Sequence, residues 1–190
     1  MKKILITGEN SYIGTSFEKW IEQYHNKYIV NTVDMKTDNW KTKDFSQYDV
    51  VFHVAGIAHV RETNKNRELY YKVNRDLAYE TAKKAKSEGV KQFIFLSSMS
   101  VYGKEKGVIN KNSDLKPNSN YGKSKFQAEK IIEPLRSETF KVVIIRPPMV
   151  YGRGCKGNYQ RLSKLAVRTP IFPDINNKRS MIYIDNLCEF

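Results

Sequence analysis

The apolar positions fall into short runs separated by stretches with helical spacing. Lys3 to Thr7 is an apolar run that stops at Gly8, which predicts a buried strand. Phe17, Trp20, Ile21 and Tyr24 follow at helical intervals, and Tyr28 to Val33 predicts a second strand closed by Asp34. Asn39 to Tyr48 is polar and too short for a full crossover helix. Asp49 to Gly56 reads as the next strand, ending in small residues. Leu69, Val73, Leu77 and Thr81 recur every four residues beside Ala78, Ala82 and Ala85, predicting a helix over 67–88 that Gly89 ends. Val90 to Leu96 predicts a strand, Lys104 to Asn118 an exposed loop, and 119–133 a helix after the breaker Pro117, with Ser119 or Asn120 as N-cap. Phe140 to Ile145 makes another strand, stopped by Arg146-Pro147-Pro148, with a loop at Val150 to Gly154. Tyr159 to Arg168 predicts a helix, 171–173 and 180–184 short strands, and 185–189 a first helical turn. Alternating strands and helices without an internal repeat predict an α/β fold with a doubly wound, mostly parallel, Rossmann-type sheet.

The chain of 190 residues, 40% hydrophobic and 28% charged, is long enough for one substantial core. Its net charge of +13 raises a nucleic-acid reading, but the 33 Lys and Arg are spread along the chain without a basic tail, so a lysine-rich solvated surface accounts for them and no nucleic-acid partner is expected. No apolar run approaches the ~18 residues of a membrane span, so no membrane partner is expected. Cys155 and Cys188 have neither metal-ligand spacing nor a disulfide framework; they favour a cytoplasmic setting and no metal. His53 reads as a strand residue with a satisfied ring and His59 as a loop residue, neither with a metal partner.

Three stretches carry chemistry. Gly8 to Gly14, between a strand and a helix, can present backbone N–H groups and a helix dipole to a phosphate, and Asp34 lies where a dinucleotide fold places the carboxylate for the adenosine ribose. The hydroxyls of Ser97-Ser98-Met99-Ser100 stand at the carboxyl end of a predicted central strand, where open α/β sheets bind ligands. Tyr121 and Lys125 share one face of a helix. Bringing a tyrosine from ~10 to a working value near ~7 needs about 4 kcal/mol. One ammonium ~4–5 Å away supplies roughly 3–4 kcal/mol, so the pair is expected to ionise Tyr121.

Taken together, Thr7-Gly8-x-x-Ser11-x-x-Gly14, Asp34, 49–56, 97–103, Tyr121 to Lys125, 146–152 and 179–187 resemble the extended short-chain dehydrogenase/reductase family, in its nucleotide-sugar epimerase/dehydratase branch. The resemblance covers nearly the whole chain. It implies NAD as cofactor and a UDP-sugar as substrate, with epimerisation at C4 of a UDP-hexose or UDP-N-acetylhexosamine through a 4-keto sugar; a 4-keto-sugar reductase would use the same site. A 4,6-dehydratase would want a carboxylate pair that Ser98-Met99 does not offer. A non-catalytic nucleotide-binding module is the alternative from another class.

By that resemblance Tyr121 is the acid/base, Lys125 its partner on the nicotinamide ribose, both also serving the cofactor, and Ser98 the hydroxyl on the reacting sugar oxygen, with Ser97 and Ser100 as alternatives if the register slips. Gly8, Ser11, Tyr12, Ile13, Gly14, Asp34, Asp44, Phe45, Val54, Ala55, Gly56, Asn74 and Pro148 would serve the cofactor, Asp44-Phe45 as the adenine-contacting pair and Asn74 as the structural amide of the central helix. Asn158, Phe172 and Arg179 would serve the UDP-sugar. Ser11 stands where the family has its middle glycine. The resemblance divides the chain into a dinucleotide domain at 1–155 and an incomplete substrate portion at 156–190, with exposed apolar surface around Ile171, Met181, Ile182 and Tyr183. Family members continue with a further substrate-covering lobe, which implies a truncated chain with an open sugar pocket. A homodimer is compatible with it.

Overall fold

A computed structural model describes residues 1–58, 60, 62–155, 157–170 and 178–190, apart from the side chains of Asn64 and Asn158. His59, Phe172, Ile171, the strand expected at 171–173 and the Asn158 amide lie outside the described residues.

Five parallel strands form the central sheet: β1 (Lys2–Thr7), β2 (Tyr28–Val33), β3 (Val50–His53), β4 (Gln92–Leu96) and β5 (Lys141–Ile145), in spatial order β2-β1-β3-β4-β5. The period-two geometry of strands sorts their side chains into two layers. Leu5, Val51, Phe93, Phe95 and Val142 face one side, where Ala78, Ala82 and Ala85 of α3 (Leu77–Ser87) and Ala128 and Ile132 of α4 (Asn120–Ile132) cover them. Ile4, Ile6, Val50, Phe52 and Leu96 face the other, under Ile13, Phe17, Trp20 and Ile21 of α1 (Tyr12–Ile21). The alanines let α3 lie close to the sheet. Between β2 and β3 only a short 3-10 turn, Asp38–Lys41, forms, as the abbreviated polar segment predicts.

The helix expected over 67–88 is one helical path in three parts: α2 (Arg67–Tyr71), a π-helical turn at Lys72–Asp76, and α3. The widened turn carries the fully buried Asn74. Its Oδ1 accepts from Ile57 N at 2.9 Å, and its Nδ2 donates to Ile57 O and to Ser124 Oγ, each at 3.1 Å. That amide ties the loop after β3 to α4.

One expectation is corrected at 150–154. Pro147 and Pro148 lack N–H groups and end the main sheet, but β-favouring Met149, Val150 and Tyr151 form β6 (Met149–Tyr151), parallel to β7 (Met181–Tyr183) in a second sheet. Gly152 and Gly154 supply the turn only after that strand. This pairing joins residues on both sides of the 155/156 boundary. After β7, α6 (Ile184–Glu189) packs on α1, and α5 (Asn158–Arg168) packs on β6. Met181 and Tyr183 are exposed and Ile182 partly buried. No described helix is long and apolar enough to cross a membrane.

Candidate active site

β1 leads to β2 on one side and the chain then returns to β3 on the other, so the order reverses between the carboxyl ends of β1 and β3. Ligands of open α/β sheets bind at such a reversal. Gly8 turns away there at φ +108°, and a Cβ on it would stand 2.8 Å from Ala55 N. Only glycine lets these two strand ends meet. Gly8 N and Glu9 N donate to Val33 O at 3.0 and 3.2 Å, which seats Asp34 beside the turn. Ser11, in place of a glycine, is the N-cap of α1, its Oγ accepting from Gly14 N at 3.2 Å. The serine thus exchanges backbone approach for a fixed helix start.

A cleft of about 1840 Å³ opens over these strand ends. That exceeds the ~300–1,000 Å³ typical of a site for one drug-sized ligand. Ser11, Tyr12, Ile13, Val54, Gly56, Ser98, Tyr121, Lys125, Pro148 and Arg179 line it. Gly8, Gly14, Ala55 and Asn74 are not among the residues that line it. Asp34 and Asp44 do not line it either; Asp34 Oδ1 accepts from Lys36 N, and Asp44 Oδ1 from Ser46 N and Oγ. Phe45 is not at the cleft. Its ring is fully buried in the core among Trp40 and Tyr48, and its N–H donates to Glu88 Oε2.

Ser119 caps α4, accepting from Gly122 N at 3.0 Å. Glu62, from the loop after β3, caps it a second time: Oε2 accepts from Asn120 N and Oε1 from Tyr121 N, both at 3.0 Å. A carboxylate suits the positive end of a helix dipole. The partly buried phenol of Tyr121 lies edge-on to Tyr70, with ring centroids 6.4 Å apart. Burial raises its pKa, a hydrogen bond with Ser98 lowers it, and Tyr70 raises it. Ser98 is thus the serine of the run that acts on the phenol, and its Oγ donates to Ser100 Oγ at 3.2 Å, while Ser97 donates to Glu129.

Lys125 departs from its expected part. Its ammonium is held in the interior, 4% exposed, donating to Leu96 O at 2.8 Å over the Phe95 ring at 4.8 Å. Burial is the largest influence on the phenol and shifts it up, opposite to the expected direction. Burial pulls Lys125 down to about 8, partly opposed by Glu129.

His53 is corrected as well. Its Nδ1 pairs with Thr7 Oγ1 at 2.7 Å, but buried Nε2 has no hydrogen-bond partner among the described residues. Burial and the Lys125 charge lower its pKa from 6.5 to about 3. The fold holds the ring neutral, whereas the unfolded chain takes up a proton below about 6.5. Stability tied to His53 is full above that value and lost progressively as pH falls toward 3. The span corresponds to up to about 5 kcal/mol. Urea unfolding of the parent and of His53→Gln across this range should show a shallower pH slope in the variant; equal slopes would mean that another group carries the effect.

Sequence reasoning missed Glu62, Glu129 and Arg146. Glu62 carries no local signal, since its contacts are 58 and 59 residues away. Glu129 could have been found, four residues beyond Lys125 on the same helical face. Its carboxylate takes a fork from Arg146, Nε to Oε1 at 3.0 Å and an Nη to Oε2 at 2.7 Å, and accepts from Ser97 Oγ.

The fit to a dinucleotide rests on these observations: the Gly8 approach that a Cβ would block, and the capped start of α1 beside the cleft. Gly56 belongs with them, because a Cβ there would stand 2.9 Å from Asn74 Oδ1 and 3.2 Å from Lys125 Nζ.

An open parallel sheet with a glycine turn at its reversal and a Ser-Tyr-Lys cluster beside it defines a dinucleotide-site class of α/β protein. The profile of the NAD dependent epimerase/dehydratase family matches residues 4–190, and the chain belongs to that family. It is 34% identical to a UDP-glucose 4-epimerase of Vibrio cholerae, over 99% of this chain and 65% of that protein. It is 28% identical to the N-acetyl-alpha-D-glucosaminyl-diphospho-ditrans,octacis-undecaprenol 4-epimerase of Escherichia coli O157:H7, over 98% of this chain and 61% of that one. The structure of UDP-glucuronic acid 4-epimerase from Bacillus cereus in complex with NAD superposes with a TM-score of 0.80 at 25% identity, covering 98% of this chain and 70% of that one. The chain thus spans somewhat under two thirds of the length of the two sequence relatives.

Proposed function

We propose that the protein is an NAD-dependent 4-epimerase of a UDP-linked hexose or N-acetylhexosamine. The observation that carries this reading is that Ser98, Tyr121 and Lys125 line one cleft at the sheet reversal. The relatives named as sugar 4-epimerases support the choice of reaction. Ser11, Tyr12 and Ile13 with Gly8 and Gly14 would hold the dinucleotide phosphates, Asp34 the adenosine ribose, and Val54 to Gly56 with Pro148 the remainder. When bound, that cofactor supplies a reversible hydride acceptor.

The chain's own part is proton handling and alignment. Tyr121 Oη, once ionised in the ligand-filled cleft, takes the proton of the sugar 4-hydroxyl and later returns it, and Ser98 Oγ orients that oxygen and donates to the charge developing on it. Lys125 holds a positive charge in the same cleft. Arg179, an exposed cation at the cleft edge, offers a planar fork to the sugar-nucleotide diphosphate. Asn158 and Phe172 remain proposed contacts of the same substrate by resemblance. Incubating the protein with a panel of UDP-sugars, with and without added NAD(P)H, tests the reading. A C4 epimer formed without net cofactor consumption is expected; product formed only with stoichiometric NAD(P)H would make it a reductase.

Cofactor choice follows from Asp34. Its carboxylate can accept from two ribose hydroxyls but repels a 2′-phosphate. Calorimetric titration should therefore give tighter binding of NAD than of NADP, and the reverse order would mean that Asp34 does not face the ribose.

A further inference from the structure

Tyr121, Lys125 and Glu129 stand four residues apart on α4, one stripe running from the cleft into the interior. Glu129 is only 4% exposed, where a lone carboxylate would be costly. Arg146, at the end of β5, compensates it with the two-pronged contact, and a second Nη of Arg146 donates to Tyr102 Oη at 3.0 Å. Ser97 donates to the same carboxylate. The residue before Ser97 is Leu96, whose carbonyl takes the Lys125 ammonium, and the residue after it is Ser98, which acts on the Tyr121 phenol. One carboxylate therefore anchors the strand end on which both the lysine and the serine depend.

The geometry points to Glu129 as a positioning residue that keeps Lys125 charged and aimed at Leu96 O, with Arg146 holding Glu129 in turn. The groups around Lys125 leave this part to Glu129. From β3 comes His53, kept neutral; from β4 the Phe95 ring; from the π turn the Asn74 amide; and from α4 itself the protonated Tyr121. Arg146, from β5, is turned onto Glu129. Burial drives Lys125 down to about 8, and the Glu129 charge opposes it. Near neutral pH this margin decides how much of the lysine is charged.

The inference rests on Lys125 belonging to the proposed acid/base site, but its test needs no turnover. The protein labelled at lysine Cε with carbon-13 is titrated by NMR, where a lysine near 8 separates from the surface lysines near ~10.4. In Glu129→Gln the Lys125 titration should move lower than in the parent. In Arg146→Gln it should move higher, because Glu129 then answers to Lys125 without a competing cation. A titration shifted in one common direction, or not at all, would mean that the Glu129 charge does not act on Lys125. Either of those results overturns the proposal. Should Glu129→Gln fail to fold, the double variant Glu129→Gln/Arg146→Gln removes both charges together. Its Lys125 should still titrate below the parent, and an unshifted value there would likewise overturn it. Shifts as stated in a protein that epimerises no UDP-sugar would leave the positioning role standing and remove the function instead.

Discussion

Tyr121→Phe should retain dinucleotide binding and lose epimerisation by about 10²–10⁴-fold. The phenyl ring keeps its edge-on contact with Tyr70 and its place on the cleft wall, so the pocket is not remodelled. What goes is the single proton-transferring atom, together with its hydrogen bond to Ser98. The structure also bears on how that atom works. Burial and the neighbouring Tyr70 favour the protonated phenol, and Ser98 alone opposes them. The chain's own residues thus leave Tyr121 protonated, so its ionisation has to be drawn out by what enters the cleft. NMR analysis of sugar products, beside calorimetry with NAD, separates the two effects. Turnover within about threefold of the parent would take Tyr121 out of the proton path.

How far the sequence could carry this reading depends on the range of the contacts involved. The five-stranded sheet was legible because each strand is an apolar run with its own punctuation, as at Gly8, Gly89 and Pro147. α4 was legible down to its cap, since Pro117 and Ser119 act within a few residues of the helix. β6 was not, because its partner lies thirty-two residues later and two glycines directly after it read as a loop. Among site residues, the members of one helix face or one turn were placed at the cleft, as Tyr121, Lys125 and Ser11 are. Phe45 was not, because sequence position cannot tell a ring turned inward from one turned to a ligand; here the aromatic cluster with Trp40 and Tyr48 claims it. The electrostatics of Tyr121 were misjudged for a related reason. Spacing four puts Tyr121 and Lys125 on one face, yet a strand-end carbonyl, set by β4 and not by α4, draws the ammonium into the interior. Glu62 was beyond reach, since its carboxylate meets α4 only through the folded chain.

Gly103→Ala should destabilise the protein by about 3–5 kcal/mol, placing it among the severe single substitutions. Gly103 closes the 3-10 turn Met99–Tyr102 in the left-handed region at φ +61°. A non-glycine residue there costs about 1–2 kcal/mol by conformation alone. The larger part is steric. A Cβ at this position would lie 1.9 Å from Lys116 O and 2.9 Å from Lys116 C, both backbone atoms that cannot swing aside as a side chain could. Either the serine turn or the chain at 116–117 must move. The first carries Ser98, and the second runs directly into Ser119, whose hydroxyl starts the helix of Tyr121 and Lys125. The substitution therefore acts on the site through both of its supports, without touching a residue that would meet substrate. Gly107, with φ +91° and nothing within 4 Å of a built Cβ, supplies the control: alanine there meets only the conformational cost. Urea unfolding of the two variants beside the parent measures the difference. A loss at Gly103 no larger than that at Gly107 would show that the turn and the 116–117 segment yield to each other without cost, and that they do not set the geometry of the helix they flank.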